Sequence, residues 1–497
     1  MTPDHKLTSR TFSGFIYLLS ASGIQVFLKI GVLAVLARLI SPKEFGLAGI
    51  AIIIVEFSKL FTQMGVGPAI VQRKELEDRH LTTGFTISLC MGLLFAGVLL
   101  LGAPVLEVFF RMEGLAPVLR AVSIVFFVDS ITLIGQAQMQ RNMKFKVIAA
   151  LDVISYAVGY GAVGISLGYL GMGVWALVIA NISQAVLYAA LVMIVQPFSK
   201  RPRFNYSAFK ELIRFGGGHT LARIGNYLAV QGDNLVVGRT LGAASLGIYG
   251  RAYQFMVMPS SLFGNTLDKV LFPAMSKVQD DKQKLMKAYL TGTSLIALIA
   301  IPISVLFVFL APEIILVLLG PQWTEVINPF RILACSLLFR MSYKMSDSLA
   351  RATGAVYRRA WRQLIYAGAV FISSYIGHFW GLNGVAWGVA LTLVGNFLMM
   401  SQLSIKLIGS TWLDLVKAHT HGILLGITTG VFSYFIVTIS RQFNTLYVTL
   451  LCTGVGVMVL LFLVIGLFPS FFIRSDHKAL VEKLILKRFK KISVQVV

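Results

Sequence analysis

Fourteen long apolar stretches follow one another along the chain, at residues 12–37, 45–67, 81–102, 116–138, 147–168, 172–196, 209–232, 243–268, 288–310, 324–349, 360–378, 384–405, 418–438 and 446–470. Each is near the roughly 20 residues a helix needs to cross the hydrocarbon of a bilayer. In that solvent an unpaired peptide group is costly, so an apolar stretch of this length satisfies its own backbone as a helix. The expected fold is an all-α polytopic membrane protein with about 14 transmembrane helices. Composition agrees: 57% of the 497 residues are hydrophobic and 13% charged, and the mean hydropathy is +0.79, outside the range of soluble domains. Little chain is left for a soluble domain, so function has to be carried out within the membrane.

The net charge of +23 would suggest nucleic acid or acidic partners in a soluble protein; here its placement matters more, and no nucleic-acid partner is expected. Lys and Arg resist translocation and collect in alternate short loops. Threading the fourteen stretches puts 30 of them on one side: Lys6 and Arg10, then Arg73 to Arg79, Arg141 to Lys146, Lys200 to Lys210, Lys269 to Lys287, Arg351 to Arg362, Lys406 with Lys417, and the tail from Arg474 to Lys491. The other side holds five, namely Arg38, Lys43, Arg111, Arg239 and Arg441. A wrong count of crossings would scramble this division. The basic side is therefore read as cytoplasmic, with both termini on it. Lys6 and Arg10 before an apolar run imitate a signal peptide, but the run continues past Lys29 to Leu39 without a convincing cleavage site, as an uncleaved first span would. Cys90, Cys335 and Cys452 lie in apolar stretches without paired spacing, which argues against a disulfide frame or a zinc site.

The chain also repeats itself. Ala37-Arg38-Leu39-Ile40 with Phe45-Gly46-Leu47 returns 201 positions later as Gly238-Arg239-Thr240-Leu241 with Leu246-Gly247-Ile248. A second pair, Gly171 to Trp175 and Gly381 to Trp387, opens the sixth and twelfth stretches. Six crossings separate each copy from its partner, and six is even, so the repeats are parallel and related by an axis along the membrane normal. The expected organisation is a six-helix bundle over 1–196, a cytoplasmic linker over 197–208, a second six-helix bundle over 209–406, a terminal helix pair over 407–471 and a basic tail over 472–497. Leu480, Val481, Leu484, Ile485 and Phe489 recur at helical spacing among the bases of that tail, as in a helix resting on anionic lipid.

Nine cations remain inside the apolar stretches. Each costs about 2.5–3.5 kcal/mol near the bilayer centre. Arg120, Arg214 and Arg331 lie within two turns of a helix end and can snorkel. Lys29, Lys59, Arg223, Arg251, Arg340 and Lys344 cannot be dismissed so easily. Residues three or four apart share a helix face, which joins Arg340 to Lys344, with Asp347 as the local counter-charge, and aligns His219, Arg223 and Asn226. Glu56 and Lys59 can pair in the same way. Deep acids are fewer: Glu56, Asp129, Asp152, Asp233 and Asp347, the last two expected near helix ends. A cavity among such groups would be electropositive and favour an anion; buried ion pairs between helices are the other reading. No Gly-x-x-x-x-Gly-Lys-Ser/Thr sequence and no His-Glu-x-x-His site occur, so neither ATP hydrolysis nor zinc catalysis is expected. The chain is read as a non-enzyme without a cofactor.

Several segments, among them Val35 to Ile40 with Phe45-Gly46-Leu47, Gly65 to Glu75, Gly232 to Arg239, Val270 to Asp281 and Gly320-Pro321-Gln322-Trp323, resemble the polysaccharide transporter family of the multidrug/oligosaccharidyl-lipid/polysaccharide flippase superfamily, especially its colanic-acid-exporter-like members. The resemblance implies two bundles plus a terminal pair, and alternating access through a cationic cavity. It also implies flipping of an undecaprenyl-diphosphate-linked oligosaccharide across the inner membrane for exopolysaccharide, capsule or O-antigen synthesis, with membrane lipids, a polysaccharide polymerase and export machinery as partners. The deep charges agree, because a diphosphate leaving water needs several Lys or Arg partners. Proton or sodium coupling would run through Glu56 or Asp129. A drug antiporter of the same superfamily would need unpaired deep carboxylates, which the excess of cations disfavours. A non-transporting scaffold of a polysaccharide-synthesis complex would use the deep charges only for pairing.

Overall fold

The structure is a computed structural model that describes residue 23 and residues 25–73, 75–197, 202–264, 271–272, 275–442 and 445–467. Those residues are helical almost throughout and contain no strand. They form α1 (25–39), α2 (Pro42–Gln63), α3 (Val66–Gln72), α4 (Asp78–Phe110), α5 (Leu115–Val122), α6 (Ile124–Arg141), α7 (Phe145–Ile154), α8 (Val163–Tyr169), α9 (Val174–Val195) and α10 (Tyr206–Pro259). There follow α11 (Lys282–Phe309), α12 (Ala311–Leu318), α13 (Ile327–Cys335), α14 (Leu337–Ala352), α15 (Val356–Gly377), α16 (Gly381–Ile408), α17 (Trp412–Arg441) and α18 (Leu446–Leu467). Among the described residues nine helical runs are long and apolar enough to cross a membrane. The chain is a multi-pass membrane protein. Lys6, Arg10, Lys74, Lys200, Arg201, Lys269, the start of the first apolar stretch and the basic tail 472–497 lie outside the described residues, as do the side chains of Arg214 and His219.

Local chemistry sets the ends. α2 opens on a reciprocal cap: the Ser41 backbone N–H donates to Glu44 at 2.9 Å while the Ser41 hydroxyl accepts from the Glu44 N–H, and Pro42 occupies the first turn, where its missing N–H costs nothing. Two expected stretches, 209–232 and 243–268, are the arms of one helical element, α10. They meet at Gly242, whose φ of 85° is open to glycine and strained for other residues. The stretch expected at 324–349 is interrupted: a 3-10 turn over Pro321–Val326 leads into α13, and α13 gives way to α14 at Ser336.

With lipid outside, helices gain little from apolar area alone, so close approach of small residues does much of the packing. α2 crosses the second arm of α10 with the backbones touching: a side chain on Gly46 would strike the Ala243 carbonyl, and one on Gly247 would strike the carbonyl of Pro42. Gly46 and Gly247 are the same place in the 201-residue repeat, as are Pro42 and Ala243, so the crossing has two-fold character. α11 packs on α17 where Gly422 meets Ala297, and α15 on α16 where Gly377 meets Gly384. Large apolar side chains such as Leu101, Val108, Ile372 and Phe462 stay exposed, as suits a surface whose solvent is hydrocarbon.

Candidate functional site

α14 carries the densest set of deep charges. Arg340, Lys344, Asp347 and Arg351 follow at intervals of four, three and four, one stripe of a helix. The Arg340 guanidinium carbon lies 5.0 Å from the centre of the Tyr253 ring, a cation–π contact, and its Nε is buried without a hydrogen-bond partner. The Lys344 ammonium donates to the Ser260 carbonyl at 3.0 Å. Asp347, expected to serve Lys344, accepts from Arg351 Nε at 3.1 Å and also from Arg359 Nε of α15. A cavity of about 170 Å3 opens beside this stripe. Asn226 of α10, Tyr343, Lys344, Asp347 and Arg351 of α14, and Arg359 and Gln363 of α15 line it.

The other expected site residues lie apart from that cavity. Arg223, one turn before Asn226, donates to the Gln63 side-chain carbonyl of α2 at 3.0 Å. Arg251 sits 4.9 Å from the centre of the Phe45 ring and donates to Gln254 at 2.6 Å, with its Nε buried and unpartnered. Lys29 lies 5.6 Å over the Tyr156 ring, which stacks on Tyr160 at 5.2 Å. Lys59 is the most committed: its ammonium is 2.6 Å from Glu56 and 2.7 Å from Asp129 of α6. The six cations therefore do not converge on one cluster. Asp233 departs from expectation as well, being inside α10 rather than near a helix end. It is 1% exposed and accepts from the Tyr249 hydroxyl at 2.8 Å, so the Gly242 break falls well beyond it.

On the cation-poor side the segments before and after the middle of the chain are locked together. The Trp323 indole N–H donates to the Ala37 carbonyl at 2.7 Å, joined there by the Gln322 amide, and Arg38 donates to the Val317 carbonyl at 2.6 Å. Trp323 meets the edge of Phe45 with ring centres 5.4 Å apart, beside the Gly46–Gly247 crossing. On the basic side the chain entering α10 is strapped to α4. The Thr86 hydroxyl donates to the Arg203 carbonyl at 3.0 Å, the Asn205 N–H to the Thr83 hydroxyl at 3.0 Å, and Glu211 accepts from Arg73. His80 accepts from the Glu77 backbone N–H through Nδ1 at 3.1 Å, so its Nε2 carries the proton that faces Glu211 at 3.2 Å.

Residues 35–328, more than half of the chain, match the family described as polysaccharide biosynthesis protein. The chain belongs to that family. The lipopolysaccharide biosynthesis protein WzxC of Escherichia coli is 25% identical over 437 residues, 86% of this chain and 88% of that protein. The teichuronic acid biosynthesis protein TuaB of Bacillus subtilis is 25% identical over 351 residues, 69% of this chain and 71% of its own. Among solved structures, the lipid II flippase MurJ in an inward closed conformation superposes with a TM-score of 0.73 at 15% identity, over 92% of this chain and 99% of that one. That likeness is one of fold.

In this polysaccharide biosynthesis protein, four cavity residues escaped the reading of the sequence: Tyr343, Gln363, Arg351 and Arg359. Arg351 and Arg359 counted as loop cations on the basic side. Arg351 had a signal, since it extends the stripe of Arg340, Lys344 and Asp347 by one more interval. Arg359 had none, because only the packing of α15 on α14 brings it to Asp347.

Proposed function

We propose that this chain is a flippase that moves an undecaprenyl-diphosphate-linked oligosaccharide from the cytoplasmic to the outer face of the bacterial inner membrane by alternating access. The observation that carries the reading is a cation-rich polar cavity at the basic ends of α14 and α15, paired with a tight seal on the cation-poor side. An anionic headgroup is received where Lys344, Arg351 and Arg359 gather; the bundles 1–196 and 209–406 then rock, the Gly46–Gly247 crossing parts, and the prenyl tail stays in lipid. Fourteen crossings with both termini cytoplasmic suit this scheme, since every apolar stretch of the sequence overlaps a helix and the Lys and Arg divide 30 to five between alternate loops.

Membership of a polysaccharide biosynthesis family and the name of WzxC support the substrate class. The basic cavity disfavours export of organic cations. We assign ion coupling to Glu56 and Asp129, where a proton or a sodium ion would compete with the Lys59 ammonium for two carboxylates. A polymerase and export machinery are the partners this role calls for; the chain itself does no covalent chemistry.

Complementation of a flippase-deficient, polysaccharide-producing strain tests the reading, with membrane levels measured in parallel. Wild type should restore polymer, while Lys344→Gln, Arg351→Gln and Arg359→Gln at equal abundance should restore roughly a tenth or less, the cost of losing one charge-assisted contact to phosphate. Equal rescue by all three would remove these residues from the path. A scaffold would tolerate each neutral variant.

A further inference from the structure

We propose that a crevice at the cation-poor ends of α1, α12 and α18 is a resident site for an anionic phospholipid, with the phosphodiester on Arg38 and the tops of the acyl chains on an apolar lining. The inference goes beyond the transport reading and does not depend on it.

The crevice has a volume of about 460 Å3 and is lined by Arg38, Leu316, Gly320, Pro321, Leu446 and Tyr447. That volume falls within the roughly 300–1,000 Å3 of sites that hold small molecules. Three separate parts of the fold supply it. Arg38 stands in the last turn of α1, Leu316 to Pro321 run from the end of α12 into the 3-10 turn, and Leu446 and Tyr447 open α18. All are helix ends on the side that carries Arg38 and Arg441, so the crevice lies at one face of the membrane, where headgroups meet hydrocarbon.

Arg38 is the charged group of the site. Its stem lies against Gly320, where an added Cβ would come 3.5 Å from the Arg38 Cγ. One guanidinium nitrogen donates to the Val317 carbonyl at 2.6 Å. Along the helix that carbonyl would be met by the N–H of residue 321, which is proline and has none. A guanidinium has five N–H donors, so this contact orients the group and leaves most of its fork unspent. No carboxylate among the described residues pairs with Arg38; Glu313, the acid of α12, is taken up by Arg441. A phosphodiester supplies the missing charge, because it is singly negative and offers two oxygens that a guanidinium meets as a pair.

The rest of the lining selects a lipid over a free anion. Leu316, Pro321 and Leu446 would stay wetted beneath a small aqueous ion, whereas acyl chains cover them. Tyr447, 59% exposed, has the apolar ring and polar tip that suit a membrane interface, and its hydroxyl is a donor for the glycerol esters. The lining contains no acid, so it gives the ammonium of a zwitterionic headgroup no counter-charge. A phosphatidylglycerol headgroup, with hydroxyls and no cation, fits better. Arg38 directly follows Ala37, whose carbonyl takes the Trp323 indole, so a lipid held there ties α18 to the seal on the cation-poor side.

Native mass spectrometry of the full chain in detergent, with phosphatidylglycerol and phosphatidylcholine of the same acyl chains as probes, tests this. The first phosphatidylglycerol should bind at least fivefold more tightly than phosphatidylcholine. Arg38→Gln should cut that preference below twofold and Arg38→Lys should keep most of it. Leu446→Trp, which fills the crevice and leaves every charge in place, should weaken phosphatidylglycerol at least fivefold. Arg239→Gln removes the matching cation of the 201-residue repeat, which lies over the Phe109 ring, and should change nothing. Equal binding of the two lipids overturns the proposal, as does undiminished binding by Leu446→Trp. So does an equal loss with Arg239→Gln, which marks a diffuse attraction to charge at that face. Glycerol phosphate and farnesyl diphosphate form the second arm. Displacement of phosphatidylglycerol by glycerol phosphate at like concentration assigns the crevice to a free anion, and displacement by farnesyl diphosphate at lower concentration assigns it to a prenyl lipid; either overturns the proposal, whereas retention against both supports it.

Discussion

Glu313 shows what a single ion pair does at the edge of this fold. Its side chain is 3% exposed and Arg441 reaches it from the end of α17, with one guanidinium nitrogen 2.8 Å from one carboxylate oxygen and another 3.1 Å from the second. Removing the arginine strands a buried carboxylate, whereas removing the acid frees an arginine that is already half in solvent. Arg441→Gln should therefore cost about 1–3 kcal/mol and Glu313→Gln under about 1 kcal/mol. The order of melting temperatures in detergent checks this; the reverse order would mean that the pair contributes nothing to docking α17. The sequence counts Arg441 among the cations of the cation-poor side, yet has no sign that Glu313, 128 positions away, would meet it. Arg340 and Lys344 were legible because spacing along one helix decides their common face. Partners on different helices, such as Asp347 and Arg359 or Lys59 and Asp129, are set by packing angles that no local pattern encodes.

Among the elements, the crossing of α2 and α10 is the one most sensitive to a single methyl group. The carbonyls of Ala243 and Pro42 occupy the space a Cβ would need at Gly46 and at Gly247. Substituents larger than hydrogen must push two backbones apart. Gly46→Leu should therefore loosen the seal formed by Trp323, Gln322 and Ala37 without touching any charge. In a background with Cys90, Cys335 and Cys452 replaced by Ala, an Ala37→Cys reporter, fully buried in the seal and contributing only its backbone carbonyl, should react with an impermeant maleimide at least severalfold faster when Gly46 is Leu. An unchanged rate would show that the seal does not depend on the crossing. The sequence marked this place twice, through the repeat that pairs Gly46 with Gly247, but read the glycines only as repeat markers. It also separated the two arms of α10, whose single-residue junction at Gly242 keeps the helical pattern running and shows only as a φ of 85°. The apolar pattern located helices well because it depends on length and solvent; interruptions at Ser123 and Ser336 leave that pattern intact and so left no mark on it.

At the scale of the whole molecule, the charge distribution makes a claim independent of every contact described above. Lys and Arg resist translocation across the energised membrane, so the division of 30 to five between alternate loops of the expected fourteen crossings predicts a topology. It assigns the turn at Arg141 to Lys144, between α6 and α7, to the cytoplasm, and the turn at Arg111 to Gly114, between α4 and α5, to the outside. The two turns bracket one crossing, Leu115–Arg141, so they must report opposite sides. Alkaline phosphatase, active only after export, should be active when fused after Gly114 and inactive after Lys144; green fluorescent protein, which folds in the cytoplasm, should give the opposite pattern. Inversion of both reporters would turn the cationic cavity of α14 and α15 to the outer face, where it would accept substrate already flipped, and the direction of transport proposed here would have to be reversed with it. Matching signals at the two turns would break the crossing itself, and with it the parallel orientation of the repeats that underlies the two-bundle scheme.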